Sequence, residues 1–506
     1  MMEKQSMSTD QSLSNETIME RYPEYASTAI LDELRAEEYS FLDEHRHVYL
    51  DYTGAGLAAH SQHRAHHEQL KHGTFGNPHS SNPTSRAATD LVDETRQRIL
   101  QHFSASPDEY AVIFTPNATG AARLVGESYA WRRGARLVLT ADNHNSLNGL
   151  RQFAERGKSR TVYVPIADAN ELRIREADVV SALSHNKTQV CLPRAWLEKS
   201  KASGTRSRRG LFAYPAQSNF TGVRHPLSWI RLAQEQGYDV LLDAAAYLPT
   251  AKLDLSSTLK PEFIMVSWYK LFGTPTGVGC LIARRDALAR LRRPWFSGGT
   301  VQAATVGLPW HLMEDGEAGF EDGTVNFLSI PDVTVGLDWL SRIGVDTVAT
   351  RVRCLTGWLL ERLLALTHSD GSPLIVRYGP ADVRGRGGTV CFNIVDGSGA
   401  VVDERLVATE SAKAGISLRT GCFCNPGAGE AALGITGRGL RRLVRARAES
   451  YQDFVDALDG TAVGAIRVSL GIASVAADVD ALVAFVEETY RDRVVTTTNL
   501  PPRTKC

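Results

Sequence analysis

The sequence predicts an α/β protein: a mostly parallel sheet with helices on both faces, followed by a smaller α+β unit. Two observations carry this. From Val48 onward, short apolar runs of strand length alternate with longer amphipathic stretches, the pattern of strands joined by crossover helices. After Asn326 that rhythm stops, and a long helical pattern to about Leu366 leads into a differently ordered set of strands and helices. At 506 residues the chain is too long for one simple core and suggests two or three domains.

In order, the runs Arg136–Ala141, Thr161–Ile166, Leu211–Ala216, Val240–Ala245, Phe263–Trp268 and Val278–Ala283 read as buried strands. Ser85–Phe103 and Leu227–Gln236 read as amphipathic helices between them. Residues 182–210 break the rhythm with LEKSKASGTRSRRG, a basic insertion that reads as a solvated surface loop, with a docking site for an acidic partner as the alternative. Beyond 366, residues 388–395, 416–419 and 465–470 read as strands, with helices at Asp403–Ala414 and Asp478–Tyr490. The expected organisation is an N-terminal tail or arm over 1–45, its first ~25 residues flexible, a large domain over 46–335, a small domain over 336–492 and a tail over 493–506.

Composition excludes several classes. A formal net charge of −1 makes no global electrostatic case for nucleic acid or an anionic membrane. No apolar run approaches the ~20 residues that span a bilayer, and the polar N-terminus lacks the apolar core of a signal peptide. A cytoplasmic protein is expected. Seven scattered cysteines do not form a disulfide framework and are expected to be reduced; Cys280, Cys354 and Cys391 sit in apolar runs as small buried hydrophobes.

The chemistry begins at VSWYKLFGTPTGVG. Lys270 follows an apolar strand, where burial can lower an amine's pKa so that it attacks an aldehyde, and the glycines after it allow close approach of backbone to a cofactor. Asp243 ends a buried strand 27 positions upstream, where open α/β sheets bind ligands. In VIFTPNATGAARLV, read as strand, turn and helix, Ala118, Thr119 and Gly120 would offer N–H groups to an anion. An amine, an acid for a ring nitrogen and a phosphate site are what pyridoxal phosphate requires. In RTGCFCNPGA, Cys422 and Cys424 lie in a glycine-flanked loop near the cation Arg419, a setting suited to a nucleophilic thiol. Spacing alone does not choose between them. The C-x-C has no second pair at zinc-like spacing, so no metal is expected.

The stretches YLDYTGAG, TFGNPHSSN, VIFTPNATGAA, LFAYPAQSNFTGVRHPLSWI, LLDAAAY, SWYKLFGTPTGVG, FEDGTVNFL, SLRTGCFCNPGA and GAIRVSLG fall in order over Tyr49–Gly471. Together they resemble the class V aminotransferases, fold-type I pyridoxal-phosphate enzymes. PAQSNFTGVRHPLSW and RTGCFCNPGA are most similar to the branch of cysteine desulfurase relatives that sulfurate the molybdenum cofactor. The resemblance implies a seven-stranded sheet and a homodimer. It implies Lys270 as the Schiff-base lysine, Asp243 on the ring nitrogen, His144 stacked over the ring and Asn219 on the phenolic oxygen. Thr119 and Ser267, beside Ala118, would hold the phosphate, with Thr324 reaching it from the second subunit. Cys424 matches the nucleophile and Arg467 the clamp on the substrate carboxylate, near Arg419. Two positions depart from many desulfurases: Ala246 stands where they have Gln, and Tyr269 where a His precedes the lysine. The implied activity converts L-cysteine to alanine and an enzyme persulfide, with the molybdenum cofactor as acceptor. Proteins of this kind carry a further C-terminal domain, of the MOSC type, so a fragment or a stand-alone chain with a partner supplying that domain is expected. The rivals are a desulfurase with other acceptors, another class V enzyme such as a racemase, and a partner protein without turnover.

Overall fold

A computed structural model describes residues 17–184, 209–435, 437–446, 450–456, 458, 464–496 and 500. Most of the basic insertion and parts of the C-terminal tail lie outside the described residues.

Seven strands build the large sheet: β1 (Tyr110–Thr115), β2 (Arg136–Thr140), β3 (Arg160–Val164), β4 (Gly210–Pro215), β5 (Tyr238–Asp243), β6 (Phe263–Ser267) and β7 (Gly279–Arg284). Their spatial order is β1-β7-β6-β5-β4-β2-β3. β7 runs antiparallel to both β1 and β6, and the remaining pairs are parallel. Every residue of β4, β5 and β6 is buried, as strands covered on both faces must be. That burial explains their unbroken apolar runs. The parallel register aligns Pro215 with Asp243 and Asp243 with Met265, so the carboxyl ends of β4, β5 and β6 form one edge. Gly279 pairs with both Thr115 and Ser267 at that edge. A Cβ at Gly279 would come within 2.6 Å of the Asn117 backbone, so only glycine lets the turn after β1 close over the sheet.

A second, antiparallel sheet contains β8 (Ile375–Tyr378), β9 (Thr389–Ile394), β10 (Arg419–Gly421) and β11 (Ala465–Ser469), in the order β8-β9-β11-β10. Val48–Tyr49 pairs with Ile416–Ser417, and Asp51 bridges to Ser469. The chain just before the large sheet is thereby bound to the small unit.

Two expectations are corrected, and three strands were not foreseen. Residues from Thr17 onward are not a tail: they form helices that bury Ile18, Tyr25 and Leu31. Buried Arg351 holds Asp32 through bonds of 2.7 and 2.9 Å. The single helical pattern after Asn326 is two helices, Pro331–Ile343 and Val345–Leu364, broken at Gly344, whose φ of +88° suits glycine. The antiparallel hairpin of Val301–Thr305 and Trp310–Met313, like β8, carried no sequence signal of its own; the hairpin strands are almost wholly exposed, so they lack the burial pattern that marks a strand.

Candidate active site

The strand ends and following turns enclose a cavity of about 440 Å³. Its lining brings together Ala118, Thr119, His144, Asn219, Asp243, Ser267 and Lys270. Sequence reasoning reached each of these, but Ser146, Gln217 and Thr276 also line it and were missed. Of the glycines after Lys270, Gly277 lines the cavity. Gly273 does not face a ligand: a Cβ there would lie 2.1 Å from the amide nitrogen of Ala58, so this glycine lets two backbone segments pack beneath the lysine.

Lys270 lies on the short helix Trp268–Phe272 that follows β6. Burial pushes its ammonium below the ordinary lysine range, opposed by the Asp243 carboxylate. Among the described residues its amine forms no hydrogen bond or ion pair. Asp243 is buried and accepts the Ala245 amide at 3.0 Å through one oxygen.

The helix Ala118–Ser128 starts with Asn117 as its cap, accepting the Gly120 amide at 2.9 Å. Thr119 is therefore not the cap, and its hydroxyl instead contacts Ser146 Oγ at 2.7 Å. Ser146 Oγ in turn lies 2.8 Å from His144 Nδ1, which accepts the Ser146 amide at 3.1 Å. That backbone bond leaves the neutral ring's proton on Nε2. Burial lowers the His144 pKa; Asp243 opposes this, and Lys270 and Arg467 add to it.

Cys422 and Cys424 differ sharply. Cys424 is a free, exposed thiol, whereas Cys422 is buried and disulfide-bonded, contrary to the expectation that every thiol is reduced. Phe423 and Cys424 both adopt left-handed backbone, φ +56° and +53°. Three bonds hold this turn against the cavity wall. The Asn145 amide donates to the Cys424 carbonyl at 2.7 Å, Asn219 Nδ2 to the Phe423 carbonyl at 2.8 Å, and Asn425 Nδ2 to the Asp142 carbonyl at 2.7 Å.

Arg467 and Arg419 do not line the lysine cavity; they meet at Asp51. Arg419 grips Asp51 through Nε and Nη2, the shortest contact 2.6 Å, and Arg467 Nη2 reaches the other side of the same carboxylate at 2.9 Å. Arg467 is buried, stacks over the Phe423 ring at 4.8 Å and donates to the Asn219 carbonyl at 3.0 Å. Its Nε is buried without a partner. Burial lowers its pKa, with Asp51 opposing. Asp51 was legible only as part of YLDYTGAG. Thr324 lies outside the lysine cavity, in an adjoining cleft with Phe114, Gly120 and Gly277, and its hydroxyl accepts from Asn77 at 3.3 Å.

A half-buried lysine just after a strand, sharing its cavity with a strand-end carboxylate and a helix N-terminus, defines a cofactor-binding α/β enzyme site. The chain belongs to the class-V aminotransferase family, whose sequence profile, "Aminotransferase class-V", matches residues 48–195 and 197–482. It is 35% identical over 474 residues to the molybdenum cofactor sulfurase of Solanum lycopersicum, covering 91% of this chain and 57% of that protein. To the molybdenum cofactor sulfurase of Homo sapiens it is 34% identical over 480 residues, covering 91% and 51%. The chain thus spans about half the length of these relatives. Among solved structures, the apo cysteine desulfurase of Thermococcus onnurineus NA1 superposes with a TM-score of 0.70 at 19% identity, covering 90% of this chain and 97% of that one. The cysteine desulfurase CsdA of Escherichia coli gives 0.65 at 20% identity, covering 90% and 98%. At these identities the likeness shows the fold.

Proposed function

We propose that the chain is a pyridoxal-phosphate enzyme that takes sulfur from L-cysteine, carries it as a persulfide on Cys424 and passes it to the molybdenum cofactor. One observation carries this reading: the exposed Cys424 thiol sits on a turn bonded to Asn219, which lines the Lys270 cavity, and to Asn145, the neighbour of His144.

The residues present fit the cofactor. Lys270, free of a counter-ion contact and lowered by burial, would bind its aldehyde; Asp243 would hold the ring nitrogen, and His144 would pack on the ring. Thr119, Ser267 and the amides at Ala118 would take the phosphate. Asn219 Nδ2 spends one N–H on Phe423 and keeps the second for the ring oxygen. When bound, the pyridoxal ring draws electrons from the substrate's α-carbon. The Cys424 thiolate attacks the substrate sulfur: an S–S bond forms, the C–S bond breaks, and the carbon takes the electron pair and a proton to leave as alanine. Arg467 would bind the substrate carboxylate, which requires its ion pair with Asp51 to open, because it lies outside the cavity as it stands.

The acceptor rests on the relatives named molybdenum cofactor sulfurase. A homodimer is supported by the exposed apolar side chains Val306, Leu308, Trp310 and Leu312 on the hairpin, with Trp295 and Phe296 nearby in sequence. A cytoplasmic location belongs to the same reading; no helix among the described residues is long and apolar enough to cross a membrane.

The test is a visible spectrum of the purified protein, followed by addition of L-cysteine with assays for alanine and protein-bound persulfide. A yellow protein yielding both upholds the reading, and sulfuration of molybdenum cofactor then tests the acceptor. A colourless protein that pyridoxal phosphate does not restore overturns it. A yellow protein without persulfide moves the function to another class V reaction.

A further inference from the structure

Beyond the lysine cavity lies a second one, of about 300 Å³, between the turn that carries Arg224, the helix Val345–Leu364 and the loop Val383–Gly387. Two of the arginines that line it, Arg224 and Arg386, have no carboxylate partner among the described residues. Arg224 donates from Nε to Gln217 Oε1 at 3.0 Å and from Nη2 to the Thr250 hydroxyl at 2.9 Å and carbonyl at 3.0 Å. Its face rests on the Tyr247 ring at 5.3 Å, and among the described residues Nη1 has no partner. Arg386 is buried and meets only carbonyls: Pro380 at 2.5 Å, Thr221 at 3.1 Å, Gly387 at 3.4 Å and Thr389.

Neutral oxygens accept these N–H groups, so neither guanidinium is in direct contact with a carboxylate among the described residues. Guanidinium stays protonated, so a buried one without an anion is costly. Burial, and then Arg377 and Arg173, push Arg386 down to about 9, with the more distant carboxylates of Glu171 and Asp382 opposing, and burial lowers Arg224 too. The other charged groups on the cavity wall cancel, Asp346 against Lys252 at 2.5 Å and Arg353 against Glu24 at 2.7 Å. Two arginines without a carboxylate partner among the described residues therefore line a cavity whose own carboxylate, Asp346, is paired with Lys252.

We propose that this cavity is an anion site that takes a phosphate-type dianion, either inorganic phosphate or a phosphate monoester, between Arg224 and Arg386. It is distinct from the lysine cavity and does not depend on the sulfur chemistry. Gln217 separates the two: its Oε1 accepts from Arg224, its Nε2 donates to the Ala246 carbonyl at 2.8 Å, and both Gln217 and Ala246 line the lysine cavity.

The test uses the cofactor-loaded protein, so that the cofactor's own phosphate site is filled. Inorganic phosphate and glycerol 3-phosphate are each titrated calorimetrically while the visible spectrum is followed. Wild type is expected to bind one equivalent with its colour unchanged, and Arg224→Gln to bind at least about tenfold more weakly. The probe bound more tightly identifies the source, free phosphate or monoester. Because Arg386 also ties its loop together, Arg386→Lys, which keeps the charge but loses the planar fork, serves as the second variant and is also expected to weaken binding. Absence of saturable binding by both probes, wild-type affinity in both variants, or loss of cofactor colour during titration would overturn the proposal.

Discussion

The carbonyl of Cys424 accepts a 2.7 Å hydrogen bond from the amide of Asn145. That bond joins the turn bearing the exposed thiol to the residue that follows His144 on the cavity wall. The thiol's position relative to the cavity is thereby set by backbone, and two successive left-handed residues, Phe423 and Cys424, are needed to make the turn.

On this basis Cys424→Ala is expected to leave the cofactor's visible absorbance intact and to lower persulfide formation from L-cysteine by at least about 10²-fold. Cys422→Ala, which removes a buried side chain and its disulfide, is expected to retain persulfide. The reverse result in a persulfide assay would transfer the nucleophile's role to Cys422.

Asn425 is fully buried and joins the Asp142 carbonyl to Asn219 Oδ1, at 2.7 and 2.9 Å. Asn425→Ala strands both acceptors, and a loss of about 1–3 kcal/mol is expected in denaturant unfolding. Turnover is expected to fall with it, because the thiol turn loses one of its three ties.

Lys270 sets a pH dependence of the cofactor-free protein. Burial places its folded pKa below the ~10.4 of an unfolded lysine. Between those values the unfolded chain holds more protons, so stability rises with pH through that window, by up to about 1.4 kcal/mol per unit, and falls as pH drops. Lys270→Met removes this term. Urea midpoints from pH 7 to 10 are expected to climb in wild type relative to the variant, with the variant the more stable at the low end.

The hairpin predicts assembly. If Val306 and Leu308 are buried between two copies, each contributes about 1.5–3 kcal/mol. Val306→Asp with Leu308→Asp is then expected to weaken the dimer by more than about 10²-fold in sedimentation equilibrium. An unchanged mass would remove the hairpin from the interface.

Arg35 ties the N-terminal helices to the end of the chain. It bonds Asp478 at 2.7 Å with both side chains buried, and also Asp43 at 2.7 Å. Arg35→Met leaves the Asp478 charge buried and unpaired, and a loss of about 3–5 kcal/mol in denaturant unfolding is expected.

Much of this was legible before folding is considered. An apolar run flanked by turn residues reports its own burial, so β4 to β6 and the strand-end positions of Asp243 and Lys270 could be read directly from Gly210–Lys270. The helix that starts at Ala118 is equally local, although its cap, Asn117, was not read from the sequence. The N-terminal helices were missed because their burial depends on Arg351 and Asp478, more than three hundred residues away.

What the sequence by itself determined is therefore the α/β layering, the lysine and acid at the strand ends, and the pair of candidate thiols. Tertiary structure alone decided which thiol is exposed. It also decided that Thr119 meets Ser146, that one carboxylate, Asp51, serves both Arg419 and Arg467, and that Arg224 and Arg386 find no carboxylate among the described residues. The reason is physical: periodicity and turn chemistry act over a few residues, whereas these pairings join positions up to 416 residues apart and exist only once the two sheets pack.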